Sequence, residues 1–350
     1  MIMENTMQDI FANWFKGDGD GFSGVFSVTG ADGVIFQTAC GHRNKAEELP
    51  ITVDTAFGIA SGTKMFTGLA ICKLIDEGRL SLEDRLCDLL TVDLGQIDKR
   101  VTVFHLLTHT SGVGDYIDEE AEDGEEQLQA LYDTYPVQLW TRLEYYLQMI
   151  TPLAPKFEPG ERYGYSNSGY VLLGLVVEAV SGLAYQQFVE NNIIAPCKLA
   201  HTGFYRMDCL PPNTALGYVQ DEDTNMWRTN IFSMPVLGGS DGGLFTCAKD
   251  LDTLWRAIFS NKILSEKATK VFLKPHIKMW GDDEHSGLYG LGVYLRKVGD
   301  NLVYYAVGGD SGVDFFTAYF PQAKVVVSAF GNTDLNTFPL LGESFAVFNH

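Results

Sequence analysis

TAFGIASGTKMFTGLAICKLIDEG, residues 55–78, changes character half-way along. Its first five residues, 55–59, read as extended chain. From 61 to 77 the apolar positions Met65, Leu69, Cys72, Leu74 and Ile75 recur on one helical face, and Gly78 stops the pattern. Ser61 and Lys64 stand at i and i+3 where the helix begins, so hydroxyl and amine share a face. The partial positive charge of a helix N-terminus favours negative charge developing on the serine oxygen. Serine is a weak nucleophile until a base takes its proton, and a partly desolvated lysine with a lowered pKa can be that base. On its own, Ser-x-x-Lys also reads as an N-cap serine followed by a surface lysine.

Outward from this junction, alternating apolar runs at 24–28 and 33–38 flank Gly30-Ala31-Asp32-Gly33 and predict a β-hairpin, after a short helix at 8–15. Strands return near the C-terminus at 290–296, 302–307, 315–320 and 325–330, and a helix at 339–348 closes the chain. The middle is mostly helical. Strands at both ends around a helical middle predict an α+β fold: an antiparallel sheet built from both chain ends, flanked by helices, with an inserted helical lobe. The expected organisation is one domain over 1–350, with its α/β part at about 1–79 and 226–350 and the lobe at about 80–225.

Hydrophobic residues make up 46% and charged residues 20% of the 350, a globular balance that excludes a disordered or fibrous chain. The net charge of −20 argues against nucleic-acid or anionic-lipid partners. No run approaches the ~18 apolar residues of a membrane span. Residues 1–14 lack the pattern of a signal peptide. The expectation is a cytoplasmic protein, or an extracytoplasmic one whose leader has been removed. Cys40, Cys72, Cys87, Cys197, Cys209 and Cys247 are scattered, with no Cys-x-x-Cys pair, and read as buried thiols in a reducing compartment.

A second element, Tyr165-Ser166-Asn167, places a phenol and a carboxamide two residues apart ahead of a helix at 170–180, with Ser168 as its expected cap. Tyrosine titrates at about 10 in water, and an ammonium such as Lys64 nearby would lower that and let the phenol share the proton. Asn167 could hold Lys64 or a substrate carbonyl. Gly238-Gly239-Ser240-Asp241-Gly242 fits a nucleophile elbow, but Pro235 interrupts the approach and no βα alternation surrounds it, so a Gly-rich turn near the cleft is the better reading. His105 and His109 have zinc-ligand spacing without the glutamate of a metalloprotease, and read as histidines at a buried helix end. Residues 118–126 carry seven carboxylates in nine positions and predict a hydrated or cation-bound loop near the cleft mouth. Most of the aromatics, including Tyr116, Tyr132, Tyr135, Trp140, Tyr145 and Tyr146, read as lobe packing, and some as cleft lining.

With these motifs in order, the chain resembles the serine β-lactamase and penicillin-binding-protein superfamily, in its class C, D-alanyl-D-alanine carboxypeptidase and esterase branch. His105-Leu106-Leu107-Thr108-His109-Thr110-Ser111-Gly112, Gly242-Gly243-Leu244-Phe245-Thr246 and Pro321-Gln322-Ala323-Lys324-Val325-Val326-Val327 extend the resemblance to about residues 9–332. It implies Ser61 as nucleophile, Lys64 and Tyr165 as proton carriers, Asn167 as a substrate-binding side chain, and the amides of Ser61 and Gly309 as oxyanion hole. The third family element, Lys-Thr-Gly or His-x-Gly, departs. Its matching triplet is Ala306-Val307-Gly308, or in another register Asp310-Ser311-Gly312; both lack the cation that would bind a substrate carboxylate.

The function expected is therefore a serine hydrolase acting on an ester or amide through an acyl-enzyme, with esterase or D-amino-acid peptidase/amidase activity favoured over β-lactamase. It needs no metal or organic cofactor, and its partner is a small-molecule or peptide substrate, neutral or cationic. The alternative is a catalytically weakened penicillin-binding-like protein that binds peptide or peptidoglycan-type ligands.

Overall fold

A computed structural model describes residues 2–119, 130–131, 133–221 and 224–348. In chain order, the elements that place the site are helix α1 (Ile2–Phe15), strands β1 (Gly24–Gly30) and β2 (Gly33–Cys40), helices α2 (Thr63–Asp76), α3 (Asn167–Ser181) and α4 (Ala248–Phe259), strands β3 (Ile277–Gly281), β4 (His285–Tyr289), β5 (Tyr294–Val298), β6 (Asn301–Asp310), β7 (Val313–Phe320) and β8 (Val325–Gly331), and helix α5 (Phe338–Phe348). Strands from both ends form one eight-stranded antiparallel sheet, ordered β2-β1-β8-β7-β6-β5-β4-β3. β1 pairs with β8 from Gly24 opposite Gly331 to Thr29 opposite Val326, which joins the two termini. The fold class is the α+β arrangement expected.

Both central strands β7 and β8 are buried along their whole length. Alternation splits their side chains between two cores. Phe316 and Phe320 meet Phe11, Phe26, Phe345 and Phe348 under α1 and α5. Phe315, Tyr319 and Phe330 pack with Met65, Phe66, Leu251 and Trp255 under α2 and α4, where Trp255 donates its indole N–H to Thr317 at 3.0 Å. Each fully buried phenylalanine contributes roughly 1.5–3 kcal/mol. α2 passes close to the chain before β5 because residue 68 is glycine; a Cβ there would lie 1.9 Å from the Leu291 carbonyl oxygen.

Three local expectations change. β3 and β4 were absent from the sequence reading, and residues 290–293 close a turn, Gly290 N–H donating to the Val293 carbonyl at 2.8 Å, so the strand starts at Tyr294. β3, at the sheet edge, and β4 beside it mix polar, glycine and aromatic residues, which gives a weak two-residue period. The cap of α3 is Ser166, whose Oγ accepts from Gly169 N–H at 3.0 Å; Ser168 lies inside the first turn, because Asp115 holds the Asn167 and Ser168 amides and starts the helix earlier. All six cysteines are free; Cys72 and Cys247 are buried, Cys209 is exposed and the other three are half-buried, so the expectation of buried thiols holds for two.

Among the described residues no single helix is long and apolar enough to cross a membrane; α3 and the helical stretch Tyr185–Cys197 pass that test only as a pair bent by 73°, and α3 is packed in the core.

Candidate active site

Ser61 sits in a 3-10 turn, Ala60–Gly62, that runs directly into α2. The turn is held from both sides. Ile59 N–H donates to the Leu244 carbonyl, Thr63 Oγ1 donates to the Ala60 carbonyl at 2.7 Å, and Leu244 N–H donates to Thr63 Oγ1. Ala60 has φ of +42°, a left-handed conformation that an L residue keeps only when its surroundings enforce it. Strain is therefore stored next to the serine.

One turn on, Lys64 is 2% exposed and its Nζ donates to three oxygens: Ser61 Oγ at 2.9 Å, Asn167 Oδ1 at 2.7 Å and the Asp241 main-chain carbonyl at 2.7 Å. Burial disfavours the ammonium and lowers its pKa, against the opposing pull of the Asp241, Glu119, Asp115 and Asp310 carboxylates. Tyr165 donates to Ser61 Oγ at 2.8 Å. Its pKa is raised well above the usual value, by burial first and then by Tyr294 and Glu119, which reverses the lowering expected from Lys64. Burial keeps the phenol protonated, although Lys64 Nζ lies 4.9 Å from its ring centroid.

The carboxamide of Asn167 is oriented by Glu119, whose Oε1 accepts from Asn167 Nδ2 at 2.9 Å. Asp115, buried, takes the Asn167 and Ser168 amides at 2.9 and 2.8 Å, and burial pushes its pKa up to about 7. Behind Tyr165, His109 is buried in a left-handed conformation; its Nδ1 accepts from Ser166 N–H, so Nε2 carries the proton toward Tyr289 OH at 3.1 Å. Burial and Lys64 lower its pKa well below the ordinary value. Among the described residues no group of His, Cys, Asp and Glu could hold a metal ion.

The far wall is β6. β5 reaches only Tyr294, opposite Tyr305, so residues 306–310 have no strand neighbour on that side and border the serine turn. Gly308 packs on that turn so closely that a Cβ would lie 2.2 Å from Ile59 O and 2.9 Å from Ser61 N. Gly309 follows, exposed. Ala306 is 3% exposed and belongs to the core under α2. Neither Arg296 nor Lys297 replaces the missing cation: Arg296 lies over Phe345 on the opposite face of the sheet, and Lys297 donates to the Asp283 carbonyl. Ser240 is fully buried against Gly174, with no hydrogen-bond partner for its Oγ, which excludes a nucleophile elbow.

Ser61, Lys64, Tyr165 and Asn167 thus meet, with Gly308 and Gly309 alongside. The arrangement can deprotonate a hydroxyl and pass its proton on without a metal. Sequence reasoning missed four contributors: Asp115, Tyr116, Glu119 and Asp241. Asp241 hid in the Gly-rich turn, where its carbonyl serves Lys64 and its carboxylate takes the Tyr116 hydroxyl. Glu119 hid in the acidic run; of that run only Asp118, paired with Lys156, and Glu119 lie within the described residues. Tyr132 likewise lies outside them.

A family model described as Beta-lactamase matches residues 11–346. A solved penicillin binding protein from Bacillus halodurans superposes with a TM-score of 0.87 at 37% identity, covering 98% of this chain and 100% of that one. A D-stereospecific amidohydrolase from Streptomyces sp. superposes with a TM-score of 0.79 at 24% identity, covering 97% of each, a likeness of fold. Penicillin-binding protein 4* of Bacillus subtilis (strain 168) is 28% identical over 262 residues, 72% of this chain. The chain spans only 55% of that relative's length.

Proposed function

Because the chain belongs to the Beta-lactamase family, we propose that it is a serine hydrolase of the class C, carboxypeptidase and esterase branch that cleaves an ester or amide through an acyl-enzyme at Ser61. The observation that carries this reading is the set of three oxygens around Lys64 Nζ. Neutral Lys64 keeps two N–H groups and one lone pair. Asn167 Oδ1 and the Asp241 carbonyl can only accept, so they hold both N–H groups. The lone pair is left facing Ser61 Oγ. As Oγ bonds to the substrate carbonyl carbon, its proton passes to Lys64 and the carbonyl π pair moves onto oxygen, where the Ser61 and Gly309 amides would receive the charge. Collapse breaks the bond to the leaving group, which takes a proton from Tyr165 as the phenol recovers one from Lys64. Water then attacks the acyl carbonyl in the same way and releases the acid.

Ala306 favours esters and D-amino-acid amides or peptides over β-lactams. A lysine or histidine there would hold a substrate carboxylate with a bond of roughly 1.5–3 kcal/mol, about ten- to a hundredfold in rate or binding. The test is labelling with a fluorophosphonate and a fluorescent penicillin, mass mapping of the modified residue, and turnover of p-nitrophenyl butyrate beside a chromogenic cephalosporin. Fluorophosphonate on Ser61 and faster ester hydrolysis are expected; modification elsewhere, or faster cephalosporin hydrolysis, would overturn the assignment. The same missing cation favours a second reading, a weakened penicillin-binding-like protein, which would label at Ser61 without turnover.

A further inference from the structure

A cavity opens beside the serine turn, lined on its apolar side by Phe57, Val137, Tyr146, Met207 and Met234. Among the described residues lining it there is no Lys, Arg or His, while Asp241, Asp310, Asn230 and Asn332 all face it or its walls. The two asparagines are 1% and 2% exposed. Their amide nitrogens are committed, Asn230 Nδ2 to the Ser311 carbonyl at 2.8 Å and Asn332 Nδ2 to the His42 and Leu216 carbonyls at 3.0 and 2.9 Å. That leaves both Oδ1 atoms buried without a donor. Both oxygens are sealed from the cavity itself, so the polar handles it offers a ligand are the carboxylates of Asp241 and Asp310. Asp241 is 7% exposed, with one carboxylate oxygen taken by the Tyr116 hydroxyl. Asp310 is open to the cleft; among the described residues its side chain accepts from its neighbour Ser311 N–H and forms no ion pair, Lys64 acting on it through its charge alone.

We propose that this cavity is an acceptor-only subsite, in which Asp310 and Asp241 bind a protonated primary amine on the acyl portion of the substrate. The proposal rests on the serine-hydrolase reading and names its substrate class: amine-bearing acyl compounds such as amino-acid amides. β6 explains the placement. Residues 306, 308 and 310 project to one face, so the strand that lacks a cation at Ala306 carries a carboxylate four residues on, past the glycine beneath Ser61. The electrostatic handle is inverted relative to a site that holds a substrate carboxylate. An ammonium offers three donors and a charge that the acidic cavity lacks, and the net charge of −20 draws cations toward it.

The experiment compares D-alanine p-nitroanilide with propionyl p-nitroanilide, which differ by the amine alone. The expected kcat/KM ratio is at least tenfold in favour of the amine. In Asp310→Asn that ratio falls about tenfold or more; because both substrates are measured on one variant, a general loss of activity cancels. A ratio at or below one in the wild type, or unchanged in Asp310→Asn, overturns the proposal. Calorimetry with n-butylammonium chloride, and n-butanol as control, decides the subsite even if neither anilide turns over. Ammonium binding that weakens at least tenfold in Asp310→Asn supports it, and no binding, or equal binding by the variant, refutes it. Failure of fluorophosphonate to label Ser61 would sink the hydrolase reading alone.

Discussion

Glu119 Oε1 accepts from Asn167 Nδ2 at 2.9 Å, and this contact decides which end of the carboxamide meets Lys64. A carboxylate takes only N–H, so the amide oxygen is turned to the ammonium. Glu119 is thus a positioning residue three hydrogen bonds from the nucleophile.

Its removal separates two effects. Glu119→Ala frees the carboxamide and should lower acylation of Ser61 about tenfold, the usual scale for a hydrogen bond to a charged group; Glu119→Gln retains an acceptor and should recover most of the rate. Both remove a charge that holds the Lys64 pKa up. Lys64 acts as base when neutral, so activity rises with pH through its pKa, and the acid limb should move to lower pH in both variants. A pH–rate profile with p-nitrophenyl butyrate checks this. An unmoved limb would contradict the coupling.

Lys64→Met should keep the fold, since a straight apolar chain fits a site 2% exposed, and should slow acylation by at least ~10²-fold. Stopped-flow labelling with a fluorophosphonate measures it. Unchanged kinetics in a folded variant would remove Lys64 from the mechanism.

Gly308→Ala should fail differently. The added methyl meets backbone at Ile59, Ser61 and Gly62 on one side, and backbone cannot rotate away. β6 and the serine turn must separate, so labelling of Ser61 should fall at least tenfold and the melting temperature should drop by several degrees, as overpacking commonly costs about 1–3 kcal/mol. Thermal unfolding alongside labelling reads both. A variant with wild-type values for each would show that the strand does not brace the turn.

His109 predicts a pH-dependent stability. Its folded pKa lies well below 6.5, lowered by burial and by Lys64, so below pH 6.5 the unfolded chain takes up a proton that the folded chain does not. Stability falls on acidification by about 1.4 kcal/mol per pH unit from this group, until the folded pKa is reached. Asp115, raised to about 7 by burial, has the opposite slope, its folded state holding the extra proton between about 4 and 7. His109→Asn keeps a residue that accepts φ of +57° and removes one of the two slopes. Urea unfolding at pH 7, 6 and 5 should show the variant gaining on the wild type as pH falls. A constant difference across that range would refute the assignment.

Residue order alone determined the α+β class, the hairpin at β1 and β2 and the junction at Ser61 and Lys64, because these rest on local periodicity and on spacing within a few residues; that Tyr165 and Asn167 join them from about 100 residues away was implied by the family resemblance and not by any spacing. The edge strand β3 and its neighbour β4 escaped because neither keeps a clean two-residue alternation of buried and exposed side chains. The tertiary structure decided what no spacing could. Asp241 reaches Lys64 across 177 residues through a main-chain carbonyl, a group that every residue carries and no side-chain pattern reveals. The direction of the Tyr165 shift depended on how much water the fold removes around the phenol, and burial is its largest cause. Ala306 was legible as a missing cation, but only the register of β6 showed that the same face ends in a carboxylate at the mouth of a cavity without a basic side chain among its described residues. Local chemistry is written along the chain; the field at a site is a sum over groups that only folding brings within a few ångströms of one another.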